Sequence, residues 1–167
     1  PLFLPVYQPR KRVFQLAAWQ SDPVIEGIIV NAYFLYKQRE LRKPLAATRG
    51  LKDFVGFHGL VTTDSGAFQG MSRQLFLENK KIVRFQDDIG SDVIAPLDLI
   101  TPPYDKRAVA TDKLRATEKR VEEGLRLVKH GILAGVQQGG RYLDLRHESI
   151  CRLVEMEGRH HFSIDAD

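Results

Sequence analysis

With 167 residues, 43% of them hydrophobic and 28% charged, the chain is long enough to bury a core and too apolar to be a disordered tail. Its 25 Lys and Arg against 21 Asp and Glu leave a net charge of +4, and residues 1–53 hold nine basic against four acidic side chains, a bias compatible with phosphate contacts that decides no function by itself. The single Cys151 excludes an internal disulfide and a multi-thiolate zinc cage, and no apolar run approaches the roughly 20 residues of a membrane span, so the expectation is a soluble, cytoplasmic protein without a membrane partner.

In chain order, short apolar runs alternate with segments of helical spacing, the pattern of β/α units around a parallel sheet. Phe3–Tyr7 and Gly27–Asn31 read as the first two strands. The residues after Tyr33 read as helical up to Pro44, where the proline pushes Lys43 out of helical geometry. Gly59–Thr63 reads as the third strand. Asn79 is placed to cap a helix whose Ile82, Phe85 and Ile89 share a face and whose stop is Gly90. Val93–Leu97 is the fourth strand. A long helix follows over about 111–129, burying Leu114, Val121, Leu125 and Val128 and leaving Lys113, Lys119, Arg120 and Arg126 off the stripe. Ile132–Val136 is the fifth strand. The next helix, from Asp144 to Gly158, turns Ile150, Leu153 and Val154 inward, and His161–Ile164 offers a sixth strand.

No repeat or linker divides the chain, so residues 1–167 read as one unit. Six β/α units can complete a doubly wound sheet but fall short of an eight-stranded barrel. A chain that begins with Pro1 and ends just after a strand is expected to be a piece of something longer.

Polar residues stand at the C-terminal ends of three successive strands: Asp64 and Ser65, then Asp98, then Gln137 and Gln138. Each has a bland reading as a turn or loop, but ligands of α/β barrels bind at that end of the sheet, and three matching positions argue for a site. A carboxylate such as Asp98 accepts from the N–H edge of a purine and a Gln amide donates to a carbonyl oxygen, which together match guanine. A carboxylate pair can also stabilise an oxocarbenium-like sugar centre. Phe68 suits stacking on a planar base and equally suits a core. Cys151 reads as a small packed residue. His160 and His161, adjacent on a strand, would point to opposite faces and so not chelate a metal.

The strings TDSGAFQ at 63–69, IGSDVIAPLD at 89–98 and GVQQGGRYLDLRHES at 135–149, in this order, resemble the tRNA-guanine transglycosylases. NAYFLYK at 31–37 and PLDLITPP at 96–103 are closer to the archaeosine branch and its bacterial relatives than to the queuine branch. The resemblance covers nearly the whole chain. It implies a TIM (β/α)8 barrel, of which residues 1–167 supply about the first six β/α units as the N-terminal part of the catalytic barrel. It implies a pentosyltransferase that replaces guanine in tRNA by a 7-deazaguanine base of the preQ0, preQ1 or queuine type, through a covalent sugar–enzyme intermediate.

Carried over motif by motif, Asp64 takes the acid/base position, Ser65 lies beside the substrate, and Phe68 takes the base-stacking position. Asp98 and Gln138 take guanine-recognition positions, and Gly139 and Gly140 allow close backbone approach to the ligand. The family's glycine-rich turn after the next strand is replaced here by His161–Asp167, without glycine. The family's nucleophilic aspartate and its zinc site fall on later strands, so neither a nucleophile nor a metal ligand is assigned in this chain, which is expected to be inactive alone. The implied partners are tRNA, the guanine or 7-deazaguanine base, and a second subunit in a homo- or hetero-oligomer. The alternatives are a non-catalytic tRNA- or base-binding subunit, a degenerate paralogue that needs a catalytic partner, and a relative acting on DNA or a free nucleoside.

Overall fold

The computed structural model describes residues 2–9, 24–69 and 77–164, with side chains to residue 158. Five strands pair in parallel and in sequence order: β1 (Val6–Tyr7), β2 (Gly27–Asn31), β3 (Leu60–Asp64), β4 (Val93–Ile94) and β5 (Ile132–Leu133). Because all five run the same way, their C-terminal ends share one edge, and the register sets Asn31 opposite Asp64 and Thr63 opposite Ile94. The apolar runs account for the centre of the sheet, where Ile28, Val30 and Val61 are fully buried.

Six helices are described: α1 (Ala32–Lys37), α2 (Arg39–Ala46), α3 (Leu51–Val55), α4 (Asn79–Asp88), α5 (Arg107–Leu127) and α6 (Leu143–Ile164). The first three bury Leu35, Leu41, Leu45, Leu51 and Val55 against β2, β3 and Phe57 in the main core. Ile82 of α4 packs with Ala32 and Leu97, and Leu114 of α5 with Leu145 of α6. A fully buried Gln86 on α4 ties β3 to β4. Its Oε1 accepts from Thr63 Oγ1 at 2.7 Å and from the Ala95 N–H at 3.3 Å, while its Nε2 donates to the Ala95 carbonyl at 2.9 Å. These bonds set the relative height of the two strand ends.

Several expectations change. The helix does not stop at Lys43, because Pro44 lies inside α2. The proline costs one hydrogen bond to the preceding turn, but α2 ends two residues later, and buried Leu41 and Leu45 on either side hold it to the core. Asn79 is the first residue of α4 and not its cap, a position held by Glu78 without a side-chain bond. Gly90 does follow α4 with φ +77°, the left-handed backbone that ends helices.

The fourth and fifth strands are shorter than their apolar runs. Past Ile94 the Ala95 N–H is shared at 3.3 Å between the Thr63 carbonyl and Gln86 Oε1, and from Leu97 on side chains of α4 and α5 hold the main chain in place of a neighbouring strand. The proposed strand His161–Ile164 is instead the last turn of α6. Gly158 sits inside that helix without a positive φ, at a cost of only about 1 kcal/mol relative to alanine, so it does not end the helix. Five strands, not six, therefore stand among the described residues, and the His160–His161 pair lies on a helix.

The inward face assigned to α6 is also only partly covered: Ile150 is 48% and Val154 61% exposed, along an open groove beside the edge of β5. Cys151 is exposed, not packed, with its Sγ 3.8 Å from His147 Nδ1.

Candidate functional site

Asp64, Asp98 and Gln138 come together at the C-terminal edge of the sheet. Asp64 closes β3, and Asn31 at the end of β2 donates from Nδ2 to its Oδ2 at 2.8 Å, a direct result of the β2–β3 register. The same Nδ2 reaches Gln69 Oε1 at 3.2 Å, while Asn31 Oδ1 accepts the Phe34 N–H and caps α1. The chain then turns through Ser65, which is buried, and Gly66. At Gly66 φ is +82° and a Cβ would lie 2.2 Å from Tyr33 Cβ, so only glycine fits this turn. Phe68 follows at 65% exposure, so it is not a core aromatic and presents a free ring near this edge.

Asp98 and Gln138 are 40 residues apart in sequence, and Gln138 Nε2 donates to Asp98 Oδ2 at 2.8 Å. Thr101 Oγ1 donates to Gln138 Oε1 at 3.0 Å, which fixes the amide with its nitrogen toward Asp98. The Gln138 main-chain N–H donates to Ser149 Oγ on α6 at 3.1 Å, anchoring the residue from behind. Burial pushes the Asp98 carboxyl above its ordinary range, and the negative charge of Asp64 adds to the rise. Bonds from its own main chain and Gln138, and the charge of Arg120, oppose it without cancelling it.

The two glycines after Gln138 lie tightly against other parts of the chain. A Cβ on Gly139 would meet the Arg146 N of α6 at 2.6 Å, and one on Gly140 would meet Thr101 Cγ2 at 2.8 Å, both at positive φ. The close approach they permit is to α6 and to the loop after β4. Gln137 is exposed and donates to the Arg146 carbonyl at 3.2 Å, away from Asp98.

Three residues of this edge were not singled out from sequence: Asn31, Thr101 and Arg120. Asn31 carried a usable signal, since it ends a strand just as Asp64 does. Thr101 lies in an irregular loop whose path sequence does not give. Arg120 reads from spacing as lying off the buried stripe of its helix, yet it is partly buried and donates to the Leu97 carbonyl at 2.7 Å. Among the described residues, no group of three or more His, Cys, Asp or Glu is placed to hold a metal ion.

The family profile described as queuine tRNA-ribosyltransferase matches residues 1–166. The chain is 39% identical over 157 residues to the tRNA-guanine(15) transglycosylase of Methanopyrus kandleri, covering 93% of this chain and 34% of that protein. It is 32% identical over 162 residues to the protein of the same name from Methanococcus aeolicus, covering 94% of this chain and 25% of the relative. For that of Methanothermobacter thermautotrophicus the identity is 34% over 157 residues, with 93% and 23% covered. The chain thus spans about a quarter to a third of the length of these relatives. With nearly every residue matched and the motif residues gathered at one edge of a parallel sheet, the chain belongs to the queuine tRNA-ribosyltransferase family.

Proposed function

We propose that this chain supplies the base-recognition wall of a transglycosylase that exchanges guanine in tRNA for a 7-deazaguanine base. The observation that carries the reading is the bonded pair Asp98–Gln138 in the loops that follow neighbouring strands, with Asp64 close enough to act on Asp98. Guanine offers donors at N1 and N2 and an acceptor at O6. Asp98 Oδ2 takes one Gln138 N–H, which leaves the second carboxylate oxygen for the base donors and the second amide hydrogen for O6. A 7-deazaguanine has the same edge, so one wall reads both the leaving and the entering base. Phe68, with its ring exposed, is the candidate stacking surface, and Asp64 the candidate proton carrier for the base nitrogen.

The same reading makes the sheet an arc of a (β/α)8 barrel, since its strand order advances in one direction without the reversal of a doubly wound sheet. The tRNA strand would approach across the C-terminal edge, where all three motif loops emerge.

The test is calorimetric titration of the chain with guanine and with adenine, whose corresponding edge carries the opposite donor and acceptor pattern. Guanine is expected to bind and adenine not, with Asp98→Asn weakening guanine. Equal affinity for the two bases, or no effect of the substitution, overturns the assignment.

A further inference from the structure

We propose that Arg120 is a positioning residue for Asp98: its guanidinium fixes the main chain that carries Asp98 and brings a positive charge to that part of the site. The proposal rests on Asp98 being the base-reading carboxylate, and its test is separable from the test of that role.

The segment after β4 leaves the sheet but stays rigid, because helix side chains hold it residue by residue. The Leu97 N–H donates to Asn79 Oδ1 on α4 at 2.8 Å, and Arg120 Nη1 donates to the Leu97 carbonyl at 2.7 Å. The same Nη1 lies 3.4 Å from the Asp98 carbonyl. The Leu99 N–H donates to Thr117 Oγ1 at 3.0 Å, and Lys113 Nζ donates to the Ile100 carbonyl at 3.0 Å. Lys113, Thr117 and Arg120 are spaced four and three apart, so one face of α5 grips every residue from Leu97 to Ile100 in concert with α4.

Packing alone does not explain the choice of arginine. Arg120 spends its hydrogen bonds on neutral carbonyls and forms no ion pair among the described residues, although burial weakens its hold on its proton. Glu123, one turn on, accepts instead from Asn79 Nδ2 at 2.7 Å. A partly buried guanidinium without an ion pair is costly unless its charge is used. Among the described residues, the side chains that act on Asp98 are Asp64 from β3, Gln138 from the loop after β5, and Arg120 from α5. Of these only Arg120 brings positive charge. It therefore offsets the burial and the Asp64 repulsion that favour the protonated acid, which cannot accept two donors from a base.

The experiment follows the Asp98 side-chain carboxyl carbon by NMR against pH in the 167-residue chain and in Arg120→Met and Arg120→Lys, with guanine affinity measured at pH 7. Arg120→Met keeps the apolar stem and removes the charge, so the Asp98 midpoint is expected to rise by roughly half a unit or more. Arg120→Lys restores the charge and is expected to return the midpoint toward wild type. It lacks the guanidinium that grips the carbonyls, so guanine affinity should still fall about threefold or more. An unchanged midpoint in folded Arg120→Met overturns the proposal. If that variant does not fold, Arg120→Lys decides: guanine affinity equal to wild type overturns the proposal, and a loss with the midpoint retained supports it. Should wild type and Asp98→Asn bind guanine equally, the base-reading role fails, while the carboxyl titration still judges Arg120.

Discussion

Replacing Asp98 by asparagine separates binding from stability, because the two respond in opposite directions. In the folded chain the carboxyl is held above its ordinary value of 3.8 by burial and by Asp64, so folding favours the neutral acid. Below the unfolded value both states are protonated and Asp98 costs nothing. As pH rises through the higher folded value, the wild type must ionise a carboxyl the fold disfavours, and that part of its stability is lost.

The side chain introduced by Asp98→Asn is neutral throughout and keeps a carbonyl oxygen to accept from Gln138 Nε2, the bond that measures 2.8 Å in the wild type. The variant is therefore expected to be at least as stable as wild type at pH 7, with its advantage growing as pH rises from about 4. Guanine binding moves the other way. The second acceptor becomes an NH2 group facing the donors of the base, a mismatch worth about 1–3 kcal/mol, or roughly 5- to 150-fold in affinity. The assays are urea unfolding from pH 4 to 8 and calorimetric guanine titration at pH 7. A variant destabilised by more than about 1 kcal/mol at pH 7 would refute the claim that the folded chain disfavours the charge. Unaltered guanine affinity would refute the placement of the base.

Four further outcomes are expected. Thr101→Val removes the bond that orients the Gln138 amide, at a cost near 1 kcal/mol in guanine affinity and little in stability, read by the same titration. Gly66→Ala places a Cβ against Tyr33 at positive φ and should cost about 2 kcal/mol or more in unfolding free energy, as measured by urea denaturation. Asp87 accepts the main-chain N–H groups of Lys129, His130 and Gly131, each at 3.0 Å. Burial alone would raise its carboxyl, but these three bonds outweigh that and hold it below the ordinary 3.8. Its stabilisation is thus present above that value and lost as pH falls through the depressed one. Asp87→Asn should cost about 1–3 kcal/mol at neutral pH and show less acid sensitivity in pH-dependent unfolding. Finally, if the nucleophile falls on a later strand, as the resemblance implies, the 167-residue chain will not incorporate labelled guanine into tRNA. Incorporation by the 167-residue chain would place the nucleophile within it and overturn these role assignments.

The sequence by itself determined the β/α alternation, because apolar runs of strand length and helical stripes are local patterns that burial enforces. The edge on which chemistry gathers is legible too: once the strands are parallel, the segments that follow them emerge on one side, and Asp64, Asp98 and Gln138 all lie at or after a strand's C-terminal end. The tertiary structure decided what local pattern cannot express. Pro44 remains helical because Leu41 and Leu45 are held by the core, and α6 runs past Gly158 because a single glycine is a weak stop. Beyond β4 the main chain of Ala95 and Leu97 is held by Gln86, Asn79 and Arg120, from two separate helices. Arg120 reads as a surface residue on α5 until that helix is laid against the strand end. The bond between Asp98 and Gln138 likewise joins residues 40 positions apart, in two loops that α5, α6 and Thr101 hold in place.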